Sequence, residues 1–284
     1  MRHLVLLAAS AGRPDLAGAV TLRLPVVVVP PHSEREVCQY FEARTGRADQ
    51  LLAGYRVRIR GQSHHFYLLD ASGLTPLTRE LVDGPPSACV PDQGMPRLVS
   101  ALGPVAALRL PDDIRLPWHT PQPLVMNLHV VNPGSRPVAV RTRVHLVLRR
   151  APAGARIATR WGMPARDIVV PPFSTATVGT RWTLDRPLAL LTFGGHMHDR
   201  GIRLRAYRDG VPMYEQDDWR HPRELRYLTP EVLPAGTTLR VECLYDNGVD
   251  RPVFRCDDGN PCALQYGERA VDAMCNLQGY EVVP

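Results

Sequence analysis

The sequence predicts an all-β chain folded as two tandem β-sandwich domains, and three observations carry that prediction. Its 284 residues exceed one average domain and suffice for two, each able to bury its own core. With 28 prolines and 22 glycines against only 6% aromatic residues, the composition favours many short elements joined by turns. Apolar residues recur with period two in several stretches, whereas long amphipathic helical patterns are hard to find.

Residues 20–31 alternate, become continuously apolar and stop at Pro30-Pro31, which predicts a strand with a firm end. A second strand over 36–43 carries Cys38. Tyr55, Val57 and Ile59 then alternate with Arg56, Arg58 and Arg60, giving a half-buried strand that leads into Ser63-His64-His65. Residues 124–131 are apolar apart from Asn127 and His129 and end at Asn132-Pro133-Gly134; residues 138–148 alternate again, so the pair is expected as a β-hairpin. Residues 149–156, with Pro152 and Gly154, form the best composition break and set the expected domains at 1–152 and 153–284. Beyond it, strands are expected over 176–184, 188–193, 202–207, 237–245 and 263–265, with Arg208-Asp209-Gly210 as a hairpin turn. No repeat of 20 to 50 residues shows. Two sandwiches of jelly-roll-like topology are the expected architecture.

The formal net charge is +6, and every one of the 34 basic residues is arginine. These arginines are scattered among 28 carboxylates in no block longer than a pair, which reads as a solvated surface and argues against nucleic-acid binding. Six cysteines without a CxxC pair disfavour zinc-ribbon and thioredoxin readings and leave disulfides, hence an oxidising compartment. The apolar run over residues 4–9 is too short for a clear signal peptide. No stretch approaches the ~20 apolar residues of a membrane helix, so no membrane span is expected.

Histidine grouping points to metal. His196-Met197-His198 sets two imidazoles at i and i+2, on one strand face, where they can share an ion. Alone, the pair reads more readily as packed or surface histidines than as a metal site. His64-His65 are adjacent, so they converge on one ion only near a strand end or bulge. His129 stands in an apolar strand, where a buried imidazole needs a backbone partner or an ion. Met274, beside Cys275, is a core-type residue whose thioether is also a soft ligand preferring Cu(I); joined to His196 and His198 it would favour redox copper over zinc.

In order and in local sequence these residues resemble the type II copper, ascorbate-dependent monooxygenases, the family of peptidylglycine alpha-hydroxylating monooxygenase and dopamine beta-monooxygenase. Ser63-His64-His65 is similar to that family's paired-histidine motif, and Leu128-His129-Val130-Val131-Asn132-Pro133 to the strand giving its third histidine; the resemblance implies an electron-transfer copper site on His64, His65 and His129. Gly195-His196-Met197-His198-Asp199-Arg200-Gly201 resembles the H-x-H-x-x-G motif. Tyr266-Gly267-Glu268 and Asp272-Ala273-Met274-Cys275-Asn276 resemble the stretch that completes an oxygen-binding copper site, implying His196, His198 and Met274 as catalytic ligands. Residues 233–239 and 243–247 also look like family sequence, so the similarity spans about residues 20 to 284. The same resemblance implies disulfides Cys38–Cys89 and Cys243–Cys275, the latter clamping Met274, and leaves Cys256 for Cys262 around a turn-rich loop. That loop reads as a disulfide-closed turn ahead of a calcium loop.

The sequence departs from the family at Phe66, where Met is usual, and at Ala273, where an acidic residue is usual. Gly194 and Gln278 replace the Arg and Tyr with which peptide-amidating members anchor a carboxylate, while Asn276 is retained. Gly194, Asn276 and Gln278 are therefore expected at the substrate, and peptide amidation is disfavoured.

The resemblance thus implies copper sites facing an interdomain cleft, with two copper ions per chain. The implied activity is a copper-dependent monooxygenase hydroxylating a C–H bond of a small-molecule or peptide-like substrate, with O2 and ascorbate or another one-electron reductant. The alternative is a copper-binding or sensing protein of the same fold without turnover, motivated by the altered anchoring positions. A zinc hydrolase is disfavoured by Met274. Paired cysteines suggest a periplasmic or secreted protein. His3, His32, His119, His145 and His221 match no motif and read as surface or structural, and Glu268 and Asp272 read as stabilising local turns.

Overall fold

The computed structural model describes residues 19–283 except 62, 75–84, 88 and 90–94; His3 and the short apolar run near the N-terminus lie outside the described residues. Among the described residues there is no helix, and hence none long and apolar enough to cross a membrane. The first half forms two four-stranded antiparallel sheets. One runs in the order β1 (Val20–Val29), β9 (Val138–Arg150), β3 (Gln50–Arg60), β6 (Val105–Arg109); the other runs β2 (Ser33–Ala43), β8 (Gln122–Asn132), β4 (His65–Asp70), β5 (Arg97–Ala101). A two-residue strand, β7 (Ile114–Arg115), pairs in parallel with β10 (Arg156–Ala165) and ties the first half to the second.

The second half repeats the arrangement. The order β16 (Glu224–Leu233), β13 (Leu188–Met197), β19 (Cys275–Val282), β10 makes one sheet, extended by β7. The other runs β12 (Ser174–Thr183), β17 (Thr238–Asn247), β14 (Gly201–Arg208), β15 (Val211–Gln216). The short β11 (Val169–Val170) and β18 (Leu264–Gln265) pair beside them. If the eight long strands of each half are counted in chain order, both halves show sheets 1-8-3-6 and 2-7-4-5, the double Greek-key order of a jelly roll. The expected boundary at 152/153 falls in the turn between β9 and β10.

Period-two burial follows the alternation seen in the sequence: Tyr55, Val57 and Ile59 point inward while Arg58 and Arg60 are exposed. Each sandwich encloses its own apolar core. The first core continues across the seam, taking in Ala158, Leu191, Tyr280 and Val282 of the second sandwich. The Tyr280 hydroxyl donates to the Leu98 carbonyl at 3.1 Å. Asp209 (φ 50°) and Gly210 (φ 80°) make the expected β14–β15 hairpin turn, with positive φ at both central residues.

The hairpin expected over 124–148 does not form. β8 pairs with β2 and β4, β9 with β1 and β3, so Asn132-Pro133-Gly134 carries the chain from one sheet to the other. Both strands bury one face in the same core, so their hydrophobic pattern is indistinguishable from that of a paired hairpin. β10, β16 and β19 are among the strands that the local pattern does not predict. β19 lies at the centre of its sheet, and its alternation is masked by buried Gln278 and Glu281; the latter accepts a bidentate pair from Arg186 at 2.8 Å. β16 is an edge strand that leaves Leu228 82% exposed.

All three disulfides form as the resemblance implied: Cys38–Cys89, Cys243–Cys275 and Cys256–Cys262. Among the described residues no cysteine is free. Gly279 marks the tightest backbone approach, since a Cβ there would lie 1.9 Å from the Thr192 carbonyl oxygen of β13. Gly279→Ala is expected to destabilise the chain by about 1–3 kcal/mol or more, because backbone cannot yield as a side chain can; urea denaturation with a lowered midpoint is the check.

Candidate metal centre

Strand register assembles the first histidine trio. His65 opens β4 and is the direct partner of His129 on β8, so the two form a cross-strand pair on one face, with ring centroids 5.0 Å apart. His64 precedes β4 in a bend and donates its main-chain N–H to the His129 carbonyl at 2.9 Å. Leaving strand geometry at that point lets neighbouring residues converge, and the His64 ring lies 5.2 Å from both His65 and His129. His65 stacks on Tyr67 at 4.5 Å, and Arg97 lies 4.1 Å over the Tyr67 ring.

The β13–β19 ladder places the other ligand candidates. His196 is opposite Asn276, Met197 opposite Cys275 and Gly194 opposite Gln278. One step further along this register sets His198 beside Met274, and directly opposed residues share a face, so His196, His198, Met274 and Asn276 lie on one side of the sheet. Tyr245 on β17 secures that corner. Its hydroxyl donates to the Met274 carbonyl at 2.5 Å and accepts the main-chain N–H groups of Met274 (3.1 Å) and His198 (3.3 Å). Two residues earlier on the same strand, Cys243 is bonded to Cys275. The Met274 main chain is thus anchored to β17 twice, directly by Tyr245 and through its neighbour Cys275 by Cys243.

The two histidine sets meet across the seam. The His64 ring lies 4.8 Å from His198 and 5.6 Å from His196. One ligand nitrogen from each of His64, His65 and His129 falls within 4.8 Å of the others, and the same holds for His64, His196 and His198. The arrangement differs from the expected pair of sites facing each other over a cleft, because the apolar core continues through the seam and draws the sandwiches into contact. His64 belongs to both trios.

All five imidazoles are buried. Nε2 of His64, Nδ1 of His65, His129 and His198, and both nitrogens of His196 have no hydrogen-bond partner. Buried polar atoms are ordinarily paired, so converging orphan nitrogens suit a cation, and imidazole accepts copper, zinc or iron. Electrostatics keeps the lone pairs free. Burial, with the His198 and His129 rings close by, pushes the His64 imidazolium down to about 2. Burial lowers His198 to about 4, although main-chain hydrogen bonds to Asp272 and Arg269 partly oppose it. His65 and His196 are held well below the usual histidine range, again chiefly by burial.

Glu34 on β2 escaped the sequence reading. Its Oε2 lies 3.1 Å from His129 Nε2 and accepts the Ala270 N–H at 3.2 Å. The hydrogen bond to His129 is the main cause holding the Glu34 carboxyl below its usual range. One carboxylate oxygen therefore orients His129 so that Nδ1 faces the cluster, and reaches over to the loop preceding Met274. No spacing rule links residues 34 and 129; only the β2–β8 register, with Glu36 opposite His129, brings them near. Asp272 and Glu268 bond Arg269 and Tyr266, as local turn-stabilising residues would.

Two cavities flank the cluster. The larger, about 520 Å³, reaches His64 and is walled largely by apolar side chains around Trp219. The smaller, about 320 Å³, contains Gly194, Gly195 and Gln278 and is bordered by Arg160, Arg223 and Arg226. Arg160 on β10 hydrogen-bonds Gln278 Oε1, so a cation enters beside Gly194 from a neighbouring strand. Asn276 holds an orphan buried Oδ1. His221 borders both cavities, a position its exposed pairing with Asp218 does not advertise in the sequence.

Fold and site define a tandem jelly-roll protein with a buried histidine cluster at its seam that could hold a metal ion. No protein-family model matches the chain, and no curated protein matches it. Among solved structures, PNGF-II aligns over 92% of this chain at 9% identity and TM-score 0.41; the chain spans 65% of that protein. The major capsid protein P2 of bacteriophage PM2 aligns over 94% of this chain and 98% of its own, with 7% identity and TM-score 0.33. VP54 of PBCV-1 aligns over 93% of both chains, with 7% identity and TM-score 0.28. Similarity at this level carries no argument about activity.

Two outcomes are expected of the cluster. Histidines kept neutral in the fold but titrating near 6.5 when unfolded take up protons on unfolding, so stability falls as pH drops from about 6.5 towards 4. The slope is about 1.4 kcal/mol per pH unit for each such histidine; urea midpoints of metal-free protein across this range measure it, and a flat profile would contradict it. Glu34→Ala is expected to weaken metal binding about 10–100-fold, as loss of a histidine-orienting carboxylate commonly does. Competition titration with a chelator reads it, and Glu34→Gln, which retains an acceptor, should lose less.

Proposed function

We propose that the chain is a copper-dependent monooxygenase, acting outside the cytoplasm, in the periplasm or as a secreted protein. The reading rests on one observation above the others: five buried histidines with unpartnered nitrogens converge at the seam, and the Met274 main chain is locked to that of His198 by Tyr245. Histidine alone would suit zinc equally, and the thioether on the same face tilts the donor set towards copper. Three disulfides fit an oxidising compartment.

The overall reaction converts a C–H bond to C–OH and the second oxygen atom of O2 to water, with two electrons and two protons drawn from the reductant. Copper, when bound, supplies the electron transfer and oxygen chemistry. The protein's own groups do the rest. His64, His65 and His129 offer nitrogens alone, which suits electron transfer; His196 and His198 with Met274 offer a softer set, which suits oxygen. Glu34 holds the proton on His129 Nε2 and leaves Nδ1 for the ion. The apolar seam limits water at the cluster, which the larger cavity reaches at His64. In the smaller cavity Arg160, hydrogen-bonded to Gln278 beside Gly194, is suited to an anionic co-substrate, and ascorbate is a monoanion at neutral pH.

A second reading, a copper-binding or sensing protein without turnover, has its own support. Both nitrogen trios need His64, so only one of them can be filled at a time. Copper quantitation separates the two. The monooxygenase reading expects two coppers per chain, one lost in Met274→Ala and one in His129→Ala, together with ascorbate and oxygen consumption by the wild type. One copper per chain, unaffected by Met274→Ala, would favour the binding protein, and less than one would overturn both.

A further inference from the structure

We infer that the larger cavity, between Trp219 and His64, is a binding site for an uncharged apolar molecule. The binding site stands on the cavity itself; on the monooxygenase reading its occupant would be the C–H donor, reaching the oxygen-binding trio past His64, whose ring lies 4.8 Å from His198. Its volume of about 520 Å³ falls within the range of small-molecule sites. Both sandwiches build it: Pro104, Val131 and Pro133 come from the first, Trp219, Ala270 and Val271 from the second. It ends on His64, the histidine common to both trios, whose ring lies edge-on to Trp219 at 5.8 Å. A molecule filling it would therefore lie against the metal cluster.

The charges at its rim are already engaged. Asp199 lies 3.7 Å from the guanidinium of Arg200 and 3.9 Å from that of Arg251. His221 is bonded to Asp218 at 2.8 Å. The Arg220 guanidinium lies over the Trp219 ring at 5.0 Å. A cation entering the cavity would give up water without gaining a free carboxylate, and an anion would have to draw the Arg220 guanidinium off the Trp219 ring, costs an uncharged ligand avoids. The smaller cavity differs in this respect: Glu224 there pairs with Arg226 at 2.8 Å, but Arg160 is bonded to neutral Gln278 and Arg223 adds a further positive charge, so cations outnumber the carboxylate. The two chambers thus sort co-reactants by charge: the anion beside Gly194, the apolar molecule beside His64. Segment 217–223 of the second sandwich separates them, contributing Trp219 to one, Arg223 to the other and His221 to both.

The test is calorimetric titration of the metal-free chain with 2-naphthalenemethanol, 2-naphthoate and the 2-naphthylmethylammonium ion, which share a ring system and differ in charge. The alcohol is expected to bind once per chain and at least tenfold more tightly than either ion. Val271 is 41% exposed, so Val271→Arg can occupy the cavity without disturbing the core, and should weaken alcohol binding tenfold or more with the melting temperature unchanged. Trp219→Ala should do the same if it folds. Equal binding of either ion, no binding of the alcohol, or alcohol binding untouched by Val271→Arg would overturn the inference. Copper content is measured on the same preparations. Alcohol binding without copper would leave this site standing and remove the oxygenase, and copper binding without alcohol would do the reverse.

Discussion

A buried imidazole nitrogen that lacks a partner lowers the stability of any fold that contains it, by about 1–3 kcal/mol for each group left unsatisfied. His64, His65, His129, His196 and His198 bring six such atoms to one seam. Set against a total stability of about 5–15 kcal/mol for an ordinary domain, this is a large destabilisation to carry without return. The surroundings do not relieve it. They hold it in place, through the His65–His129 register, the Tyr245 hydroxyl, the Cys243–Cys275 bond and the Glu34 carboxylate. A ligand that takes these lone pairs recovers the lost energy, and the imidazoles need shed no protons to receive it where burial already keeps them neutral.

The two sandwiches share one strand order, yet the histidines do not occupy equivalent strands. In the first half they come from the 2-7-4-5 sheet, through β4 and β8; in the second they come from the 1-8-3-6 sheet, through the end of β13. The cluster is therefore not one site copied twice. It arises because unlike faces of two similar sandwiches are pressed together, with Leu191, Tyr280 and Val282 extending the first core under the contact. Apolar packing thus sets the distance between the trios, and the ligands themselves only decorate the ends of strands that packing has already brought close.

Much of this was legible in the sequence where the signal was local. Alternation at Tyr55, Val57 and Ile59, the Asp209-Gly210 turn and the H-x-H spacing each depend on near neighbours, and each has its counterpart in the fold. What was illegible depends on long-range register. Residues 124–148 carry the same pattern whether β8 and β9 pair with each other or lie in facing sheets, so the expected hairpin had no local contradiction. Glu34, Arg160 and Trp219 are ordinary residues in ordinary strands or loops, and only tertiary contact gives them a place at the site. The closeness of the trios belongs to the same class, since no residue pattern records how far two domains stand apart.

His64 concentrates the remaining question. It contributes to a trio on either side, but a single nitrogen directed at the cluster cannot serve two ions at full strength. With His64 engaged by His65 and His129, a second ion would need its third donor elsewhere, and the β13–β19 register, continued one step past Met197–Cys275, offers Met274 beside His198. With His64 engaged by His196 and His198, the first site is reduced to a pair, and the thioether becomes redundant. Tyr245 and the adjacent disulfide fix the Met274 main chain with two independent devices, more than a side chain that merely filled core volume would require. On the proposed copper reading, that placement of Met274 suits the arrangement in which sulfur would complete one site and His64 the other.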